Sequence, residues 1–219
     1  MIIDAKKHRP NLSEIAYHEI KEMILTGELT QGERIVLERM SEKLNLSITP
    51  IREALNKLGQ EDLIHVTPRS SYAVVTLSQD NIRDILDLRE MLETFALKTA
   101  GENLSSFPID FFREHFKKPN LPRNYRKFME SDIKFHETII ATSKNKKLTK
   151  LFGYIHNSER LMMVPSARIE GRIGRATREH LEILSAIEKG EVDEAVRRLG
   201  SHIQHVKQLL LQTIMERTP

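Results

Sequence analysis

Strand-like alternation occurs once in this chain. The runs Leu63-Ile-His-Val66 and Tyr72-Ala-Val-Val-Thr76 are short and rich in β-branched residues, and Thr67-Pro-Arg-Ser-Ser71 between them reads as a turn, so a hairpin is predicted there. From Ser78 onward the apolar residues recur three and four apart, the spacing of a helix face, and no second alternating run follows. A single hairpin cannot build a sandwich, a barrel or a doubly wound sheet. The core has to be made of helices.

Three short helices precede the hairpin. In the first, from Asn11 to about Thr26, Ala16, Ile20, Met23 and Ile24 form the apolar face, and Asn11 with Glu14 has the spacing of a reciprocal N-terminal cap. Gly27 and Gly32 interrupt the pattern. A second helix fits Leu37–Leu44, with Met40 and Leu44 inward and Asn45 suited to the left-handed conformation that ends it. The third starts at once: Ser47 is an N-cap, Pro50 sits in the first turn where its missing N–H costs nothing, and Ile51, Leu55 and Leu58 face inward. Three helices and a hairpin in this order make a winged helix-turn-helix. Beyond it, Ser78 caps a long helix whose stripe takes in Ile82, Ile85, Leu86, Leu88, Leu92 and Phe95. Helices are predicted over 78–102, 109–117, 123–143, 146–163, 170–189 and 191–216, an antiparallel bundle. The expected domains are 1–77 and 78–219, with no low-complexity linker between them.

Composition removes several classes of function. With no cysteine there is no disulfide, iron–sulfur cluster, thiolate zinc site or cysteine nucleophile, which fits a reducing cytoplasm, the expected location. No apolar run approaches 18 residues and the N-terminal stretch lacks the apolar core of a secretory signal, so no membrane partner is expected. The net charge is +3, yet the first 76 residues carry ten basic against eleven acidic groups. Nucleic-acid binding by this part therefore rests on where the cations stand, not on how many there are.

A helix-turn-helix lays its second helix in the major groove with first-turn residues against base edges. Here those are Ser47, Ile48, Thr49 and Arg52; Arg39 and Lys43 on the preceding helix and Arg69 at the hairpin tip are the candidate phosphate contacts. Any one of these cations read alone is ordinary solvated charge. In the helical half, Asp132 and His136 are four apart and share a face, and His180 and His202 lie on two later helices. One carboxylate and three imidazoles form a ligand set for Zn foremost, or Ni, Mn or Fe, with positions left open. The alternative is that the histidines are surface or core residues with no ligand.

The segment Ser47-Ile-Thr-Pro-Ile-Arg-Glu-Ala-Leu55, with Leu63-Ile64 and Pro68-Arg69 behind it, resembles the DNA-binding half of GntR-superfamily transcriptional regulators, whose pattern is Ser-Arg-Thr-Pro-Val-Arg-Glu-Ala-Leu. Two positions depart from that family: Ile48 stands where an arginine is usual, and Ser71 where a wing glycine is usual. Isoleucine packs on a thymine methyl but makes no bidentate guanine contact. Residues 78–216 resemble the all-helical FCD domain of the FadR subgroup, through Asp87-Leu-Arg-Glu-Met-Leu-Glu93, Asp132-Ile-Lys-Phe-His-Glu137, Glu179-His180 and His202. The stretch Gly101–Arg126 is proline-rich and departs from it. The resemblance implies a divalent metal held by Asp132, His136, His180 and His202. It also implies that Arg89 points into the same cavity and grips an effector carboxylate. An ordinary i,i+4 surface pair of Arg89 with Glu93 is the competing reading. His205, one turn from His202, is the substitute ligand.

The function expected is that of a ligand-responsive regulator, a homodimer on near-palindromic double-stranded operator DNA, which releases its repression when a small carboxylate binds. A metal-dependent hydrolase is the alternative from another class. It lacks support, because Ile140 stands where a His136-Glu137-x-x-His zinc motif needs its second histidine. A helical interaction module without ligand is the third reading.

Overall fold

The computed structural model describes residues 11–67, 71–117, 125–167, 169 and 171–215. It divides into two compact units, Met1–Thr76 and Leu77–Pro219. The first contains α1 (Leu12–Leu25), β1 (Arg34–Ile35), α2 (Leu37–Leu44), α3 (Ile48–Gln60), β2 (Ile64–Val66) and β3 (Tyr72–Val74). The expected hairpin is present, with His65 opposite Ala73, but β1 adds a third antiparallel strand in the order β1-β3-β2. Two residues are too few to show alternation, so the sequence pattern does not reveal β1.

Local chemistry explains most of these boundaries. Asn45 is left-handed (φ 51°) and its N–H bonds to the carbonyls of Ser41 and Glu42, which closes α2. Ile51, Ala54, Leu55 and Leu58 of α3 are buried against Ala16, Ile20 and Ile24 of α1. Two details differ from expectation. The Asn11 side chain accepts from the Ser13 N–H, and Glu14 makes no reciprocal cap because it reaches Lys57 at 3.2 Å. Ser47 holds the N-cap backbone position of α3, but its hydroxyl makes no capping bond.

The second unit is helical throughout its described residues: α4 (Gln79–Thr99), a 3-10 turn (Gly101–Ser106), α5 (Ile109–Lys117), α6 (Tyr125–Thr142), α7 (Lys146–Ala167), α8 (Arg172–Glu188) and α9 (Val192–Met215). Ser78 caps α4 with a reciprocal bond from Asn81. Within this bundle α4 packs along α6, α7 and α9, and α8 packs on α9 and α5. Leu88 and Phe95, expected in the buried stripe of α4, are 44% and 48% exposed, and Met91 beside them is 57% exposed. The buried face is narrower than the apolar stripe because Arg89 and Glu93 occupy its centre. No described helix is long and apolar enough to cross a membrane.

Candidate metal centre and nucleic-acid interface

Three helices bring four polar groups to the middle of the bundle. Asp132 and His136 come from α6, His180 from α8 and His202 from α9, all at most 1% exposed. One ligand atom from each lies within 4.8 Å of the others. His180 Nε2 is 3.3 Å from His202 Nε2 and 3.4 Å from Asp132 Oδ1. Neighbouring ligands about 2.1 Å from a shared ion stand roughly 3.0–3.4 Å apart, and opposite ones about 4.2 Å. These four side chains therefore need only a slight contraction to close a coordination shell.

The remaining atoms of the rings decide what the centre can hold. Glu93 Oε2 lies 2.5 Å from His136 Nδ1, and Glu179 Oε2 lies 2.7 Å from His202 Nδ1. A carboxylate on Nδ1 places the proton there and turns the Nε2 lone pair inward, the arrangement that orients metal-bound imidazoles. His136 Nε2 and Asp132 Oδ1 are buried without a hydrogen-bond partner. Burial first, then the neighbouring imidazoles and the guanidinium groups of Arg172 and Arg89, push His180 and His202 well below the usual imidazole range; Asp132 pulls the other way at His202. Imidazole nitrogens facing a carboxylate across a buried centre, with His136 Nε2 and Asp132 Oδ1 unpartnered among the described residues, fit a divalent cation. His180 has no carboxylate on Nδ1. Phe116 and Phe135 hold its ring instead, at centroid distances of 4.5 and 4.8 Å.

Arg89 lies beside this centre, 2% exposed. Its Nε donates to Glu93 Oε1 at 2.7 Å, and its Nη1 is 2.8 Å from Glu159 Oε1. The pair with Glu93 forms, but in the core, not on the surface. Burial opposes the charge on Glu93, yet His136 and Arg89 overcome it and hold the carboxyl down to about 2. Burial wins at Glu159: it raises that carboxyl to about 7 against the pull of Arg89. The Glu159–Arg89 approach is close but poorly aligned, since neither Glu159 oxygen nor Arg89 Nη2 completes a hydrogen bond. Arg89, Glu159, Asp132 and Arg172 line a cavity of about 10 Å³, walled on its apolar side by Leu86 and Met162.

Glu93, Glu159 and Arg172 were missing from the set drawn from sequence. Glu93 was visible only as a helical neighbour of Arg89, and nothing in the spacing of the other two marks them. His205 lies outside the group of four; it is exposed and meets Glu179 Oε1 at 2.8 Å. Glu137, next to His136 in sequence, has its Oε1 3.5 Å from His156 Nε2.

At the start of α3, the N-cap Ser47 and, within the helix, Thr49 and Arg52 are exposed and Ile48 is half-buried, away from the buried Ile51, Ala54, Leu55 and Leu58. Arg39 on α2 is exposed, and neither it nor Arg52 has an ion pair among the described residues. Lys43 is exposed but paired with Glu28. Arg69 lies outside the described residues. Ser71 does not adopt a positive φ, so this position needs no glycine; its hydroxyl accepts from Arg34 Nε at 3.2 Å, a β1 cation that sequence reading overlooked.

Comparison with known proteins agrees with both units. Residues 12–74 match the pattern of bacterial regulatory proteins of the gntR family, and residues 84–205 match the FCD domain. The Nta operon transcriptional regulator of Aminobacter aminovorans is 28% identical over 194 residues, covering 86% of this chain and 90% of its own length. The transcriptional repressor RspR of Escherichia coli is 23% identical over 216 residues, covering 91% and 89%. Escherichia coli McbR/YncC shares the fold, with a TM-score of 0.75 at 18% identity over 94% of this chain and all of that one. These are regulators, not enzymes. The chain belongs to the GntR family of transcriptional regulators, with an FCD domain as its helical unit.

Proposed function

We propose that this regulator is a repressor whose FCD domain senses a small carboxylate at a metal held by Asp132, His136, His180 and His202. The observation that carries the reading is the convergence of these four buried groups, three of them with an atom lacking a hydrogen-bond partner among the described residues. Zn suits three imidazoles and a carboxylate best; Ni, Mn and Fe accept the same donors. When bound, the ion supplies a Lewis-acid anchor for an anionic ligand. Arg89 is the clamp on the effector carboxylate. Its Nη2 has no hydrogen-bond partner among the described residues, and its Nη1 faces Glu159, a carboxyl that burial raises to about 7. An incoming carboxylate replaces Glu159 against Arg89 at small electrostatic cost. The 10 Å³ cavity has room for little more than a water, so entry displaces Glu159 or Met162.

Ser47, Ile48, Thr49 and Arg52 read the major groove of double-stranded operator DNA in the cytoplasm. Arg39, Lys43 and Arg69 hold phosphates, Lys43 after leaving Glu28. The protein acts as a homodimer on a two-fold operator. The exposed stripe Leu88, Met91 and Phe95 on α4 is the self-association face this reading favours. The word repressor in the name of the Escherichia coli relative supports the direction of control. A 100-fold change in operator affinity requires only about 2.7 kcal/mol of coupling between ligand and DNA. The test is operator affinity of Zn-loaded protein across a panel of carboxylic acids. Weakening by at least one acid that also raises the melting temperature is the expected result, and binding of acids with unchanged operator affinity refutes the switch.

A further inference from the structure

A second cavity, of about 350 Å³, opens between α8 and α9; its lining includes Gly171, Arg172, Arg175, Arg178, Glu179 and His205. It lies at the N-terminus of α8. Gly171, left-handed at φ 73°, offers that end no side-chain cap, and the first turn contains no acidic residue. A helix N-terminus carries partial positive charge and disfavours cations, yet Arg172, Arg175 and Arg178 all stand within its first two turns. Arg175 and Arg178 are exposed without an ion pair among the described residues, and Glu179 is committed to His202 and His205. Arg172 is only 6% exposed and its Nε is buried with no hydrogen-bond partner. The same arginine lines the inner cavity beside Asp132 and Arg89, so the two spaces share its side chain. Among the described residues, a Cβ at Gly171 would meet nothing within 4 Å.

Positive charge gathered at the positive end of a helix, around a buried guanidinium with an unused donor, calls for an anion. We propose that this cavity is the outer half of the effector site. It receives a second acidic group of the ligand, so the effector is a small dianion: an acid with carboxylate or phosphate at both ends of a short chain. This rests on the carboxylate-sensor reading above. One end lies at the Asp132–histidine centre and Arg89. The other lies against Arg175 and Arg178 at the N-terminal end of α8, with Arg172 between them.

The test is isothermal titration of the Zn-loaded full chain with butyrate, succinate, glutarate and 3-phosphonopropionate. Native protein and the double variant Arg175→Gln with Arg178→Gln are compared. Native protein is expected to bind at least one dianion ten-fold or more tighter than butyrate. The double variant is expected to bind that dianion within about three-fold of butyrate, with butyrate itself unchanged. The better of the dicarboxylates and the phosphonate identifies the outer group. Butyrate binding without any dianion preference, or a preference that survives in the double variant, overturns the dianion proposal and leaves the sensor reading standing. No binding of any of the four acids overturns both.

Discussion

Replacing Glu93 with glutamine tests the electrostatics of the centre at its tightest point. One carboxylate, fully buried, links Arg89 at 2.7 Å to His136 at 2.5 Å. Its carboxyl falls from an ordinary 4.5 to about 2 in the folded chain, which corresponds to roughly 3 kcal/mol in favour of the charged form. An independent expectation agrees: removing one partner of a buried ion pair costs about 3–5 kcal/mol, because the other charge stays buried and unpaired. Glutamine keeps the shape but presents an amide N–H₂ toward either Arg89 or His136, where only donors are waiting. In urea, with EDTA present, the midpoint of the helical unit should fall by about 1–2 M, taking a slope of about 2 kcal/mol per molar. Metal affinity should fall about 10–100-fold, because His136 loses the group that orients its ring. The pH dependence has a definite sign. A depressed carboxyl stabilises above its unfolded value, so the gap between native and variant protein is full above pH 4.5 and narrows as pH falls toward 2. An unchanged urea midpoint together with unchanged metal affinity would show that Glu93 does not hold the centre.

Three further perturbations separate the parts. Glu159 has the opposite sign: its folded value of about 7 exceeds the unfolded 4.5, so the folded chain holds a proton that the unfolded chain releases, and stability falls as pH rises between those values. Metal-free Glu159→Gln should therefore melt higher than native protein at pH 8 and equally at pH 4.5; parallel melting profiles across that range reject the assignment. Arg52→Ala should leave the circular dichroism unchanged and weaken operator binding by about 1–3 kcal/mol, with a shallower salt dependence if the contact is to phosphate; undiminished affinity removes Arg52 from the interface. Gly59 closes α3 against the wing, and a Cβ there would lie 2.8 Å from Val66 Cγ2 and 3.4 Å from the Ile64 carbonyl. Gly59→Ala should lower the stability of the first unit by about 1–3 kcal/mol, read by thermal melting.

What could be read from the sequence was what periodicity and capping encode. The order of α1, α2 and α3, the left-handed Asn45, Pro50 in a first turn and the cap at Ser78 are all local, and each appears where local chemistry puts it. The four converging side chains were recognisable because two share a helix face and the rest fit a known pattern. Tertiary partners were not legible. Glu159 and Arg172 look like surface charges on helices, and only the packing of α4, α6, α7, α8 and α9 buries them next to Arg89 and Asp132. Leu88 and Phe95 carry the right period for the core, but the interior at their level is taken by a charged pair. Glu14 fits a capping pattern, yet the ammonium of Lys57, far away in sequence, draws it off.

The most direct test of the sensor reading is the metal stoichiometry of untagged protein by mass spectrometry and equilibrium titration, native and with His180→Ala. The expected result is one divalent ion per chain in the native protein, lost on acidification as the imidazoles protonate and weakened at least 100-fold in the variant, with melting raised by metal only in the native chain. A native protein that takes up no ion, or a variant that binds it equally well, would contradict the assignment of Asp132, His136, His180 and His202 as one centre.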